Sequence, residues 1–276
     1  MEDLLAHLKE LHPAVQGGVI PFVIALVVAG LLRRPRLSGL AVIAGFAATM
    51  YVTGSLSFES LTAARKIILL GFAAAVLALP LMYFRAGWLR PLLAVAGGAS
   101  VIWVAQRILQ QQPVETMLLW GAGCALYVGW LVFWMDGLNE DTVRGGSAGL
   151  GLGMGTGLVA LFGSSALLAL YGMPLGAAAG AVLLLQMIIN KPLPCGRLFT
   201  LPLAVIAGAT GCLVVLTAQA PWYALIPLAL IPLAAKIPMP TRPTIWLHTI
   251  LLSIITLACA ACAVYLVWRV AGSPLD

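Results

Sequence analysis

Charged residues are scarce in this chain: they make up 9% of its 276 residues, whereas soluble globular proteins carry roughly a quarter. Residues 145–190 and 198–235, which are 46 and 38 residues long, contain none at all. Because a water-exposed surface cannot be built from such segments, the composition excludes a soluble globular protein. The first twelve residues also lack the basic start and small-residue cleavage site of a removable signal peptide, so we expect the first hydrophobic segment to be retained.

The chain also lacks the common motifs of catalysis and energy coupling. It has no Gly-x-x-x-x-Gly-Lys-Ser/Thr phosphate loop, and His7, Glu10 and His12 do not have the spacing of a zinc hydrolase. No carboxylate lies deep within a hydrophobic segment, which argues against a proton pump that needs a buried titratable group. We therefore expect no metal, no cofactor and no catalytic activity.

Hydrophobic residues, in contrast, make up 62% of the chain, and the mean hydropathy is +1.06. A continuous helix of 46 residues would be roughly 69 Å long, far more than the roughly 30 Å of a bilayer's hydrocarbon core. Each long uncharged segment therefore has to fold into a pair of spans, with turns expected at 171–174 and 219–222. The predicted fold class is an all-α, polytopic integral membrane protein.

Uncharged runs, separated by proline, glycine and basic residues, predict about ten transmembrane helices in a single domain covering 1–276. We expect 1–16 to form an amphipathic leader on the membrane surface, 17–135 to hold spans one to five, and 147–268 to hold spans six to ten. An odd number of spans per half would allow two five-span halves of inverted orientation. The predicted spans are 17–32, 38–55, 67–84, 91–108, 115–135, 147–170, 174–189, 198–218, 222–235 and 244–268.

The basic residues predict the orientation of these spans. With the N-terminus outside, ten of the fifteen basic residues fall in cytoplasmic loops. These ten are Arg33, Arg34, Arg36, Arg85, Arg90, Arg144, Lys191, Arg197, Lys236 and Arg242. We therefore expect both termini outside, in a multi-pass protein of the plasma membrane, or of the inner membrane if the chain is bacterial. The expected partner of these cations is the lipid bilayer, not nucleic acid.

Glycines recur every four residues in spans six and seven, which predicts that these spans pack closely as a hairpin. Small residues let helix backbones approach each other in lipid, where apolar side chains gain nothing by hiding from the tails. The main interpretation is helix packing, and the alternative is a smooth face along which one bundle rocks against another during transport. The expected packing residues are Gly145, Gly149, Gly153, Gly157, Gly172, Gly176 and Gly180.

Polar residues within spans are costly, so they are the candidate substrate-binding residues. Gln186 and Asn190 share a helix face and could line a polar cavity, with Lys191 and Arg197 attracting an anion at its cytoplasmic mouth. The alternative is that the two amides cap the helix while Lys191 reaches the headgroups. The complete set of candidates is Gln186, Asn190, Lys191, Ser164, Ser165, His248 and Ser253.

A group of carboxylates follows span five. Asp136, Glu140 and Asp141 could hold a cation or relay protons. The alternative is that this loop is solvated and caps the next helix, as charge clusters outside the membrane usually do.

Three functions remain open from the sequence. The leading hypothesis is a small-molecule permease, because ten spans in one compact domain suit a transporter built from two halves. The alternative is a non-catalytic subunit or assembly factor of a larger complex, with small-residue faces that pack against other membrane subunits. The most distant is a membrane thiol oxidoreductase using Cys259 and Cys262, although an apolar environment disfavours a reactive thiolate.

Overall fold

The computed structural model describes residues 12, 14–32, 37–56, 61–84, 86–163, 165–217, 220–238 and 244–271. Over these residues the chain is helical and contains no β-strand. Most of the leader expected at 1–16 lies outside the described residues. The α-helices are α1 Ile20–Leu31, α2 Leu40–Val52, α3 Ala63–Leu81, α4 Leu89–Leu109, α5 Val114–Asp136, α6 Thr142–Phe162, α7 Ala166–Ile189, α8 Arg197–Thr217, α9 Leu225–Ala234 and α10 Ile245–Ala271.

Seven of these helices, α3 to α8 and α10, are long and apolar enough to cross a membrane, which makes this a multi-pass helical membrane protein. The other three belong to shorter apolar segments. A π-helical turn precedes α1, and 3-10 turns precede α2 and α9, giving segments Val15–Leu31, Leu37–Val52 and Trp222–Ala234. At 1.5 Å per residue these segments are about 25, 24 and 20 Å long, shorter than the hydrocarbon core.

Each of the ten predicted segments corresponds to one α-helix, but several helices extend past the uncharged run. Helix α3 includes Arg65 and Lys66, and α6 includes Arg144. Charged side chains within these helices can be accommodated by partners in the protein. Lys66, for example, is buried, and its Nζ donates to the carbonyl of Trp103 at 2.8 Å.

The turn predicted at 171–174 is wrong, because α7 runs without interruption through Pro174. Helix α6 instead ends at Phe162, and α7 begins at Ala166. Ser165 is the N-cap of α7, and its hydroxyl accepts a hydrogen bond from the backbone N–H of Leu168 at 3.3 Å. Span six is therefore shorter than predicted and span seven longer, which places Ser165 at a helix end instead of mid-span. The break predicted at 219–222 agrees with the non-helical Ala220 and Pro221.

Helices α6 and α7 pack with their backbones in near contact. A Cβ added to Gly153 would clash with the backbone nitrogen of Gly176, and one added to Gly157 would lie 2.6 Å from that of Met173. The remaining predicted packing residues differ. Gly149 lies between α7 and α8, Gly145 faces Leu138 and Thr200, and Gly180 makes only an ordinary contact with Leu150. Close approach is therefore concentrated in the middle of the hairpin.

Helix α8 is the central helix of the bundle. It packs against α2, α3, α4, α5, α6 and α7. Within its most apolar stretch, 94% of the residues are buried. Its first residue, Arg197, consequently lies among the ends of neighbouring helices instead of at the periphery.

The connections that follow the odd-numbered helices meet at this end of α8. The hydroxyl of Ser38, just before α2, lies 3.3 Å from the carbonyl of Pro194, just before α8. Arg197 contacts the end of α3, and Arg144 donates to the carbonyl of Ala235 at the end of α9. At the opposite end of the bundle, the connections after α6 and α8 approach each other at Gly163 and Ala220.

Candidate functional site

A polar cavity of about 690 Å³ lies where the connections after α3, α5 and α7 converge. The ends of α3, α4, α5 and α8 frame it. Its walls are Met82, Phe84, Ala86, Gly87, Arg90, Asp136, Gly137, Asn139, Glu140, Pro194, Gly196 and Arg197. None of the predicted substrate-binding residues belongs to this set.

Arg197 and Asp136 form a buried ion pair in this wall. The Nε of Arg197 lies 2.7 Å from Oδ1 of Asp136, and the side chains are 11% and 4% exposed. Nη1 of Arg197 also donates to the carbonyls of Leu81 at 2.9 Å and Phe84 at 2.5 Å. The last carbonyls of a helix have no partner within it, so this guanidinium satisfies the end of α3 while joining it to α5 and α8. Arg197 therefore joins three helices through its own partners, whereas the sequence suggests that it attracts an anion together with Lys191.

Arg90 reaches the cavity from the first turn of α4. Its Nε donates to the carbonyl of Phe133 at 2.6 Å, and its guanidinium carbon lies 3.9 Å from the Phe133 ring centroid and 5.4 Å from that of Trp134. Nη2 of Arg90 is buried and has no hydrogen-bond partner among the described residues. Arg90 is thus held by aromatic rings and one carbonyl, and its buried donor nitrogen Nη2 is left without a partner.

Lys236 brings a second cation to the same place. Its Nζ lies 4.3 Å from the centroid of the Trp134 ring. A Cβ on Gly137 would lie 2.6 Å from Nη2 of Arg90 and 2.9 Å from Nζ of Lys236. The two nitrogens are therefore at most about 5.5 Å apart, a separation at which two unit charges repel by about 3 kcal/mol at an effective dielectric constant near 20, and less where water reaches them.

The protonation of Lys236 responds to this environment. Burial lowers the pKa of Lys236, and the positive charge of Arg90 lowers it further. Lys236 is positioned by its backbone, because Nη1 of Arg144 donates to the carbonyls of Ala235 and Ile237 at 2.7 and 3.0 Å. The connection after α9 is thereby fastened beside the connection after α5.

The three carboxylates after span five have separate roles. Asp136 is the last residue of α5 and pairs with Arg197, as described above. Asp141 is the N-cap of α6 and lies 3.0 Å from Nε of Arg144. Glu140 is exposed at the edge of the cavity. The described residues contain no group of three or more acidic, histidine or cysteine side chains placed to hold a metal ion.

The structure does not bring Gln186, Asn190 and Lys191 together around a cavity. Gln186 is completely buried, and neither atom of its amide has a hydrogen-bond partner among the described residues. Asn190 and Lys191 are exposed. Asn190 ends α7 in the left-handed conformation, with φ of 52°. Asparagine is one of the few residues that adopt this conformation readily, so Asn190 suits a helix C-cap, whereas Gln186 lies within the helix and does not cap it.

The remaining candidates are dispersed. Ser253 on α10 lies 3.4 Å from the hydroxyl of Ser147 on α6, and the hydroxyl of Thr256 donates to the carbonyl of Ser147 at 2.9 Å. These contacts join two helices. His248 is half-buried one turn from the start of α10, and Ser164 lies outside the described residues.

All five cysteines are free thiols. Cys259 is half-buried and Cys262 exposed on α10, in the middle of a long apolar helix. Cys195, in the connection after α7, lies 3.4 Å from the hydroxyl of Ser38, and burial raises its pKa to about 12. A thiol with such a high pKa remains protonated and unreactive at neutral pH.

An apolar groove of about 530 Å³ lies between α6 and α10. It contains no charged side chain, and its walls are Met154, Leu158, Phe162, Leu257, Ala260, Ala261, Val264, Tyr265 and Trp268. Such a groove suits lipid tails, so the polar cavity remains the candidate functional site.

No protein family, curated protein or solved structure matches this chain.

Proposed function

We propose that this protein is a small-molecule permease of ten membrane spans with both termini outside. The observation that carries the proposal is the polar cavity framed by the ends of α3, α4, α5 and α8, with the unpartnered Nη2 of Arg90 in its wall. Its volume of about 690 Å³ is within the range of roughly 300–1,000 Å³ that is usual for small-molecule sites. Access from the end with the basic connections corresponds to entry from the cytoplasm.

The contacts between connections support ten alternating spans. The connections after α1, α3, α5, α7 and α9 approach one another at one end of the bundle, as they would if every helix crossed. The shorter segments would be accommodated by local thinning of the bilayer, at a fraction of a kcal/mol per Å.

Packing between the halves gives partial support to a five-plus-five division. Helix α2 packs on α7 and α3 packs on α8, which are equivalent positions in the two halves. The pairs α1–α2 and α4–α5 likewise correspond to α6–α7 and α9–α10. The correspondence is incomplete. Helix α6 packs on α10, but the equivalent helices of the first half, α1 and α5, show no comparable packing in the described residues.

Transport can be tested without knowing the substrate. Proteoliposomes and protein-free liposomes would be incubated with a defined mixture of amino acids, carboxylates, sugars and phosphate esters, and their washed contents compared by mass spectrometry. We expect at least one compound to be enriched by the protein and this enrichment to be lost in Arg197→Gln. Equal contents in both preparations would contradict a permease.

A second candidate, a non-catalytic subunit or assembly factor, is favoured by the burial of α8 along nearly its whole length. Solid packing at the centre suits a static scaffold better than a moving one. Purification in mild detergent followed by native mass spectrometry would test it, since a subunit should carry a stoichiometric companion chain. The thiol oxidoreductase proposal predicts loss of disulfide exchange on replacing Cys259 and Cys262 with Ala.

A further inference from the structure

We propose that Arg90, Lys236 and Gly137 form a binding site for a phosphate group at the wall of the polar cavity. As a statement about the permease's cargo, this inference rests on the proposed function and names the chemical class of its substrate. Binding itself can be measured without transport.

The first step of the argument is that folding brings two cations together without an acid between them. The ion pairs among the described residues are Arg197 with Asp136 and Arg144 with Asp141. Neither includes Arg90 or Lys236, whose charged ends both lie within 3 Å of the Cβ position of Gly137. Aromatic faces attract each cation but do not remove the repulsion between them. A dianion placed beside both nitrogens would offset that repulsion with two attractions.

The second step concerns Gly137. Its φ of −70° and ψ of −3° are accessible to any residue, so the backbone does not require glycine here. A side chain would instead occupy the place where the ends of Arg90 and Lys236 meet. The absence of a side chain at this position leaves room for both cationic ends beside Gly137, which belongs to the cavity wall together with Arg90.

The third step is the chemistry of the free donors. Nη2 of Arg90 is buried and unpartnered directly beside the exposed Gly137, and the ammonium group of Lys236 next to it has three N–H donors. A tetrahedral dianion can accept hydrogen bonds from both cations and balance both charges, whereas the single charge of a carboxylate balances only one cation. Two acidic residues line the cavity and would oppose binding: Asp136 is paired with Arg197, and Glu140 is exposed and therefore screened by water and salt. The phosphate could belong to a soluble ester or to a lipid headgroup, which lies at the same depth as the helix ends.

The experiment uses the full-length protein in phosphatidylcholine nanodiscs. One arm titrates inorganic phosphate and glycerol 3-phosphate by calorimetry, and the other adds phosphatidylglycerol to the nanodiscs and counts retained lipids by native mass spectrometry. We expect saturable binding in at least one arm, weakened about tenfold or more by Arg90→Gln and by Lys236→Gln. Binding in the first arm identifies a soluble phosphate compound, and binding in the second alone identifies a lipid.

Two further variants separate the site from general effects. Arg107→Gln removes an exposed cation from the opposite end of α4 and should leave binding unchanged. Gly137→Ala keeps both charges and displaces only flexible side-chain ends, so it should fold and still weaken binding.

Absence of binding in both arms would overturn the inference, as would equal binding by Arg90→Gln and Arg107→Gln. The permease proposal is tested separately. Phosphate binding without any uptake would support this site and contradict transport. Uptake without phosphate binding would support transport and contradict this site.

Discussion

Replacing Asp136 with Asn would remove the carboxylate that Arg197 contacts at 2.7 Å while keeping the size of the side chain. Breaking a buried ion pair in this way typically costs about 3–5 kcal/mol, because the remaining charge is uncompensated. Arg197 would keep its hydrogen bonds to the carbonyls of Leu81 and Phe84, and the cavity gives water access to it. We therefore expect Asp136→Asn to lower the free energy of unfolding by about 2–3 kcal/mol.

Equilibrium unfolding in mixed micelles with a rising fraction of dodecyl sulfate, followed by tryptophan fluorescence, would measure this loss. A double-mutant cycle with Arg197→Gln should give a coupling energy above about 1.5 kcal/mol. The pair of Asp141 and Arg144 is the matched control. Its side chains are 43% and 19% exposed, so its coupling should be below about 1 kcal/mol. Equal coupling in the two cycles would refute the view that Arg197 and Asp136 clamp the helix ends.

Three other changes test the packing and the number of spans. Gln186→Leu should raise the free energy of unfolding by roughly 1 kcal/mol, because it removes a buried amide without partners; a loss of stability would show that the amide is satisfied. Gly172→Ala should cost about 1–3 kcal/mol, since its Cβ would lie 2.6 Å from the Cα of Gly157, while Gly180→Ala, with 3.5 Å to the nearest atom, should be nearly neutral. In a cysteine-free background, Trp222→Cys and Pro238→Cys should react with an impermeant maleimide from opposite sides, and labelling from one side would show that α9 does not cross.

The distribution of hydrophobic residues was sufficient to predict the helices, because a membrane-spanning segment must satisfy its own backbone and be apolar over a fixed length. Proline is where this reasoning failed. The sequence places Pro174 in a turn, but α7 continues through it, with Gly172 and Gly176 packed closely against α6. The correct signal was Gly163 followed by serines before an apolar run, which is the pattern of a helix end and a new N-cap.

The candidate site could not be predicted to the same extent. The sequence separates Arg90, Asp136 and Arg197 widely. No local pattern indicates that Asp136 pairs with Arg197 and not with Arg90. The predicted orientation did place all three at the same membrane face, so their convergence was available as a hypothesis. The role of Gly137 could not be predicted, because it depends on the ends of two long side chains from other parts of the chain.

The cations of the cavity also account for part of the basic excess from which the orientation was predicted. That excess alone requires only that basic residues lie in the connections on one side, where their heads reach water and lipid phosphates. Arg197 is 11% exposed and makes its hydrogen bonds inside the protein, and Arg90 lies against an aromatic ring with a buried nitrogen. Burying a cation carries a desolvation cost that an orientation signal does not need. These arginines therefore do more than orient the chain: Arg197 joins three helix ends, and Arg90 brings a buried, unpartnered donor nitrogen beside the exposed Gly137 of the cavity wall.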